Sequence, residues 1–311
     1  MNRAEEASPL IGIVGPTGSG KTELSLALAR SWPVEILVAD SRQVYRGMDI
    51  GTAKPDAGAR ATVPHHLLDL IDPGGEFSVA QWLERARVLI PEIAARGMIP
   101  MLVGGTGLYV TALLDGHDYA SQSSGPELRM LLADELASGG PASLAARLTA
   151  IDPATAERTD LRNPRRVVRA LERAAAGSGR PSARAYGGRM ALIGISRPRD
   201  VLYRRIDDRA VALFSGGLLD EVRALLDAGI SANTRPMTSH GYPEAARYLA
   251  GEWSLDQAVE VTARRTRQYA KRQLTWFRPD RRIVWVAAGD EPADSPTVVA
   301  QAESVLRGLL G

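Results

Sequence analysis

The chain has 311 residues, of which 45% are hydrophobic, 24% charged and 5% aromatic, the composition of a folded globular protein rather than a disordered or fibrous one. It contains no cysteine, which excludes a disulfide scaffold, a thiol nucleophile and any cysteine-bearing zinc site. The formal charge is only +2 but it is segregated: residues 155–190 and residues 260–282 each carry a net +6, on a remainder of −10.

Met1 to Pro9 carry Arg3, Glu5 and Glu6 ahead of a short apolar run, so no signal peptide is expected there. No apolar stretch approaches the roughly 20 residues of a membrane span. A cytoplasmic address with no membrane partner follows as the expectation. Leu10 to Val14 reads as a buried strand, the glycine-rich turn after it as a loop, and Glu23 to Arg30 as a helix. Further strands are predicted at Ile36 to Ala39, Pro100 to Val103, Ala191 to Ile195 and Ile283 to Val286, with helices over Ser78 to Ala95 and Leu108 to Leu114. Continuous apolar runs alternating with helices specify an α/β fold with a parallel sheet covered on both faces. Gly116 to Pro126 reads as a loop and Glu127 to Leu148 as helix without strand signal, predicting an α-helical insertion over 116–160 between core segments 1–115 and 161–311. Asn163 and Pro164 start a helix, and Gly177 to Arg189 reads as a flexible loop. Helices follow at about 199–214, 217–228 and 242–250; the longest opens with Ser254 and Gln257 as a capping box and ends before Pro279, and the last starts at Ser295 and Pro296.

Gly15, Pro16, Thr17, Gly18, Ser19, Gly20, Lys21 and Thr22 form a complete phosphate-binding loop, placed after a strand and opening a helix as its mechanism requires. Backbone amides and the helix dipole would hold a di- or triphosphate, Lys21 would neutralise it, and the Thr22 hydroxyl would bind Mg²⁺. The chain has only three lysines, and one occupies the required position. Asp40 ends its strand at the carboxyl edge, where open parallel sheets bind ligands. Three roles fit it on spacing alone: a Mg²⁺ ligand, a general base beside the phosphate site, or a helix cap. His65 and His66 diverge on any regular element and read as packing or capping residues rather than a metal site. In the 254–278 helix, Arg264, Arg267 or Gln268, Lys271 and Thr275 make a polar stripe; Arg166, Arg169 and Arg173 make another after Asn163. Guanidinium forks suit phosphate oxygens, so these stripes are candidate polyanion contacts, the plain alternative being solvated faces.

Six segments resemble the tRNA dimethylallyltransferase family: the phosphate loop, DSRQVYRGMDIGTAKP over Asp40 to Pro55, PHHLLD from Pro64, VGGTGLY from Val103, NPRRVVRALE from Asn163 and RQYAKRQLTWF from Arg267. Their order and spacing cover about residues 10–286. The resemblance implies a P-loop NTPase-like core and transfer of a dimethylallyl group from dimethylallyl diphosphate to N6 of the adenine 3′ to a tRNA anticodon, with Mg²⁺ and release of diphosphate. It implies that the phosphate loop binds the donor, that Asp40 is the base for the adenine amine, and that Asp40, Ser41, Arg42 and Gln43 contact the nucleotide. Thr106, Arg129 and the run Arg165, Arg166, Val167, Val168 and Arg169 fall on the family's tRNA contacts. The anticodon stem-loop is the expected partner and the protein is expected to be a monomer. A small-molecule kinase using ATP, an isopentenyltransferase acting on free adenylate and a non-catalytic RNA-binding module are the competing readings; the kinase leaves both basic windows unexplained. One departure stands out. The family has a basic residue three places before Gly-Tyr and another directly after it, where this chain has Thr238 and Pro243. Arg235, three residues before Thr238, is the candidate to replace the missing cation at the donor diphosphate.

Overall fold

In the computed structural model the described residues are 8–116, 126–175 and 185–310. Two compact units result, one formed by Met1–Leu114 with Tyr186–Gly311 and the other by Asp115–Ala185. In chain order the first contains β1 (Leu10–Val14), α1 (Lys21–Leu28), β2 (Val34–Val38), α2 (Ala57–Thr62), β3 (His65–His66), α3 (Val79–Ala95), β4 (Ile99–Gly104) and α4 (Gly107–Asp115). The second holds α5 (Pro126–Ile151), α6 (Pro153–Glu157) and α7 (Pro164–Ala175). The chain then returns to the first through β5 (Met190–Ser196), α8 (Arg199–Ser215), α9 (Leu218–Asp227), a 3₁₀ turn at Pro236–Thr238, α10 (Tyr242–Leu249), α11 (Leu255–Phe277), β6 (Ile283–Ala287) and α12 (Pro296–Leu310).

All six strands run parallel in the order β3-β2-β4-β1-β5-β6. The run Leu10 to Val14 is buried throughout because helices cover both faces of a parallel sheet. Ile11, Ile13, Ile36 and Ile193 pack with Leu24 and Leu28 of α1 and with Val298, Ala302 and Leu306 of α12. Trp82 of α3, wholly buried, donates its indole N–H to the Val38 carbonyl at 3.0 Å and stacks on Tyr109 of α4. Capping boxes at Ser78 with Gln81 and at Ser254 with Gln257 start α3 and α11. Because every strand points the same way, the segments after β1, β2 and β4 emerge together at one edge of the sheet.

Two features differ from the sequence expectation. His65 and His66 form a short edge strand, and His66 Nε2 lies 2.6 Å from Glu35 Oε2, a buried carboxylate that also accepts from Arg96. The 116–160 insertion widens to Asp115–Ala185, because Val167, Ala170 and Leu171 of α7 close one core with Leu132, Leu144 and Leu148 of α5 and Ala156 of α6. Within α5 the helix breaks at Gly140, φ 69°, ahead of Pro141. Most of the loops expected at 116–126 and 177–189 lies outside the described residues.

Candidate active site

A cleft of about 860 Å³ opens at the carboxyl edge of the sheet, lined by the phosphate loop, Asp40 to Gln43, Gly104 and Gly105, and by residues of α8 and α11. The loop turns through Gly15, Gly18 and Gly20, all at positive φ, and delivers Lys21 and Thr22 as the first residues of α1. The Lys21 ammonium folds back to donate to the Pro16 carbonyl at 2.8 Å. Burial lowers its pKa to about 8; the Asp40 carboxylate works against that shift and Arg209 adds to it. Thr22 is exposed on the cleft wall. The Thr17 amide is already engaged, donating to Gln273 Oε1 at 2.8 Å, while Gln273 Nε2 donates to the Gly105 carbonyl at 2.8 Å. One α11 side chain thus joins the loops after β1 and β4. The Ser19 hydroxyl is buried without a hydrogen-bond partner.

Across the cleft, Asp40 Oδ1 accepts from the Arg42 amide at 2.8 Å, and the Ser41 amide donates to the Thr106 hydroxyl at 3.0 Å. The backbone closes the same contact, with Thr106 N–H donating to the Ala39 carbonyl at 3.1 Å. Glycine is required at 104, because a Cβ there would lie 2.1 Å from that carbonyl oxygen. Tyr269 of α11 shares a hydrogen bond with Thr106, and burial pushes its phenol up to about 12. Gln43 faces inward, its amide donating to the carbonyls of Thr52 and Ala53 at 3.0 Å each. Lys21 and Asp40 therefore face one cavity, within electrostatic reach of each other.

Sequence reasoning missed three cleft arginines. Arg205 and Arg209 lie four residues apart on α8, and Arg272 is on α11. Burial lowers the pKa of Arg209 and the nearby Asp40 charge raises it. The i, i+4 spacing in α8 is a readable signal of a shared face. Arg235 is exposed and absent from the cleft lining; its guanidinium donates to the Phe77 carbonyl at 3.4 Å, and its charge acts on the neighbouring Arg42 guanidinium. Arg235 immediately precedes the 3₁₀ turn, and its carbonyl accepts the Thr238 hydroxyl at 2.7 Å. Arg42 also reaches Thr238, donating to the Arg235 carbonyl at 2.6 Å and to Thr238 Oγ1 at 3.4 Å.

In the second unit Arg165 and Arg166 are exposed on α7. Arg129 and Arg169 both clamp Glu172, which is 3% exposed, at 3.2 and 2.9 Å. Val167 is wholly buried, so its side chain is not available to RNA, and the partly buried Val168 packs against the same core. Apolar positions on a helix interleave with the arginines, and a run of five consecutive residues necessarily covers both faces.

The IPP transferase family model matches residues 43–280, and that of isopentenyl transferase matches residues 9–62. The tRNA dimethylallyltransferase of Roseiflexus castenholzii is 45% identical over 304 residues, covering 96% of this chain and 97% of that protein. The tRNA isopentenylpyrophosphate transferase of Bacillus halodurans, a crystal structure, superimposes with a TM-score of 0.74 at 39% identity, covering 97% of each chain. A eukaryotic dimethylallyltransferase acting on tRNA gives a TM-score of 0.80 at 25% identity, over 96% of this chain and 78% of that one. A match of this extent, spanning the phosphate loop, the Asp40 segment and α11 alike, places the chain in the tRNA dimethylallyltransferase (IPP transferase) family.

Proposed function

We propose that the protein transfers the dimethylallyl group of dimethylallyl diphosphate to N6 of the adenine 3′ to the anticodon of tRNA. The observation that carries this reading is the pairing of Lys21 with Asp40 across one cleft, a cation for a diphosphate facing a carboxylate for an amine. The loop residues Gly15 to Thr22 hold the donor diphosphate by backbone amides and the Lys21 charge. The Arg205, Arg209 and Arg272 guanidiniums enlarge the positive field as negative charge develops on the leaving group. The bond from N6 to C1 of the donor forms as the bond from C1 to the diphosphate oxygen breaks, and Asp40 takes the amine proton. A stacked anticodon-loop base must leave its stack to enter, at a cost of a few kcal/mol offset by contacts to the RNA backbone. Arg165 and Arg166 are the exposed candidates for those contacts in the second unit.

Mg²⁺ fits this site. No group of three His, Asp or Glu side chains gathers to bind a metal among the described residues, and the exposed Thr22 hydroxyl matches an ion held mainly by phosphate and water. When bound it neutralises diphosphate charge. We read the enzyme as a cytoplasmic monomer; among the described residues no helix is long and apolar enough to cross a membrane.

Incubation with dimethylallyl diphosphate, Mg²⁺ and an anticodon stem-loop should yield RNA carrying one dimethylallyl group and release diphosphate. Excess ATP should compete weakly. Hydrolysis of ATP with unmodified RNA would instead support the kinase reading.

A further inference from the structure

The phosphate loop is held from behind as well as lined from in front. Arg197, between β5 and α8, donates from Nε to the Ser19 carbonyl at 2.9 Å and from Nη1 to the carbonyls of Gly289 and Glu291 at 3.0 and 2.7 Å. Arg205 donates from Nε to the Gly18 carbonyl at 3.0 Å and from Nη2 to Glu23 Oε1 at 2.7 Å. The other Glu23 oxygen accepts the Ala293 amide at 3.0 Å. Ala293 is wholly buried, and a Cβ on Gly20 would lie 2.4 Å from its methyl carbon. Two consecutive loop carbonyls are thus tied by guanidiniums, one of which also ties the segment after β6.

The geometry has a consequence for the loop's amides. In a trans peptide the carbonyl of one residue and the N–H of the next point in opposite directions. Holding the Ser19 carbonyl against Arg197 therefore turns the Gly20 N–H away from Arg197. Arg197 itself does not line the cleft, and its Nη2 is buried with no partner. A buried guanidinium nitrogen left unsatisfied is costly in isolation. Its three hydrogen bonds all go to carbonyls of the two segments it joins, so its charge is tied to the conformation of the loop.

We propose that Arg197, with Glu23 and Arg205, latches the segment 289–293 to the phosphate loop, and that Arg197 is a positioning residue for the donor diphosphate. It acts through the Ser19 carbonyl and touches no substrate. The proposal rests on the assignment of this loop to the diphosphate of the donor.

The test compares wild type, Arg197→Ala, Arg197→Lys and Glu23→Gln for binding of inorganic pyrophosphate and of dimethylallyl diphosphate by calorimetry, and of an anticodon stem-loop by fluorescence anisotropy. Arg197→Ala should weaken both phosphate ligands on the order of tenfold, the scale of one charge-assisted hydrogen bond, and leave stem-loop affinity unchanged. Its donor KM should rise correspondingly. Arg197→Lys, which keeps three donors without the planar fork, should recover part of that loss. Should Arg197→Ala fail to fold, Glu23→Gln carries the same comparison, with a smaller loss expected. Wild-type pyrophosphate affinity in a folded Arg197→Ala protein, or an equal loss of stem-loop affinity, would overturn the latch. If wild type binds pyrophosphate but not dimethylallyl diphosphate, the donor assignment fails while the pyrophosphate comparison still decides the latch.

Discussion

Replacing Asp40 by asparagine separates the roles that spacing alone left open. The asparagine side chain keeps an oxygen able to accept the Arg42 amide, which Asp40 Oδ1 now takes at 2.8 Å, so the local turn should survive. Alanine loses that bond, at a cost of about 0.5–1.5 kcal/mol. If Asp40 is the base, both variants should lose turnover by about 10²–10⁴-fold, the usual range for general base catalysis. Donor affinity should move little, in a direction the electrostatics fix. Asp40 opposes the burial that brings Lys21 to about 8, so removing its charge lowers the Lys21 pKa further and leaves less of the ammonium protonated at pH 7. A bound dianion restores the proton, so the dissociation constant of dimethylallyl diphosphate should change by only a few-fold. The assay is steady-state transfer to an anticodon stem-loop beside calorimetric donor binding, with thermal melting of each variant. A loss of donor affinity in Asp40→Asn as large as that in Lys21→Ala would refute the base assignment and make Asp40 part of the phosphate or metal site.

The Lys21 titration makes a second prediction: above its pKa of about 8 the ammonium charge is lost, so donor affinity should weaken as pH rises from 8 to 9, by at most about tenfold, and Lys21→Met should abolish that slope when binding is measured by calorimetry. Neutralising Arg165 and Arg166 should weaken stem-loop binding and lower its salt slope by up to about 0.9 for each phosphate no longer neutralised, without affecting folding. Arg169→Ala should in addition lower the melting temperature, because it takes one partner from the buried Glu172 carboxylate. Arg42→Ala should raise the donor KM more than Arg235→Ala, since Arg42 lines the cleft and reaches Thr238 while Arg235 faces Phe77; the opposite order in steady-state kinetics would return the compensating role to Arg235.

The parts of the site that can be read from sequence are those whose geometry is local. The phosphate loop is a strand, a turn and a helix start in one unbroken stretch from Leu10 to Thr22, and Asp40 directly follows an apolar run. The parts that cannot be read depend on contacts between distant segments. Gln273 meets Thr17 across 256 residues and Arg205 meets Gly18 across 187, and no periodicity in α8 or α11 says which loop each faces. The two-residue strand β3 is too short for any alternation to register. The insertion boundary escapes the sequence for a related reason. The apolar stripe Val167, Leu171 and Ala174 is visible, but only three-dimensional packing shows that Val167 and Leu171 close a core with α5 rather than lie on the sheet.

The same distinction changes the meaning of the basic window at 260–282. Counted on the sequence it is a net +6, which suggests a broad electrostatic grip on RNA. In the structure several of those charges already have partners: on α11 Arg265 pairs with the buried Glu244 and Arg267 with Asp207, and after the helix Arg282 pairs with Asp280. These pairs tie α11 to α10 and α8 and turn the chain toward β6, so they serve the fold. Lys271, Arg272, Arg278 and Arg281 have no ion-pair partner among the described residues, and of these Arg272 lines the cleft. Counterion release on RNA binding depends on cations that can reach phosphates, not on the net charge of a window. The charge this window leaves free to meet phosphates is therefore smaller than its composition suggests, and the paired arginines hold the helix that carries Gln273 and Tyr269 against the loops of the cleft.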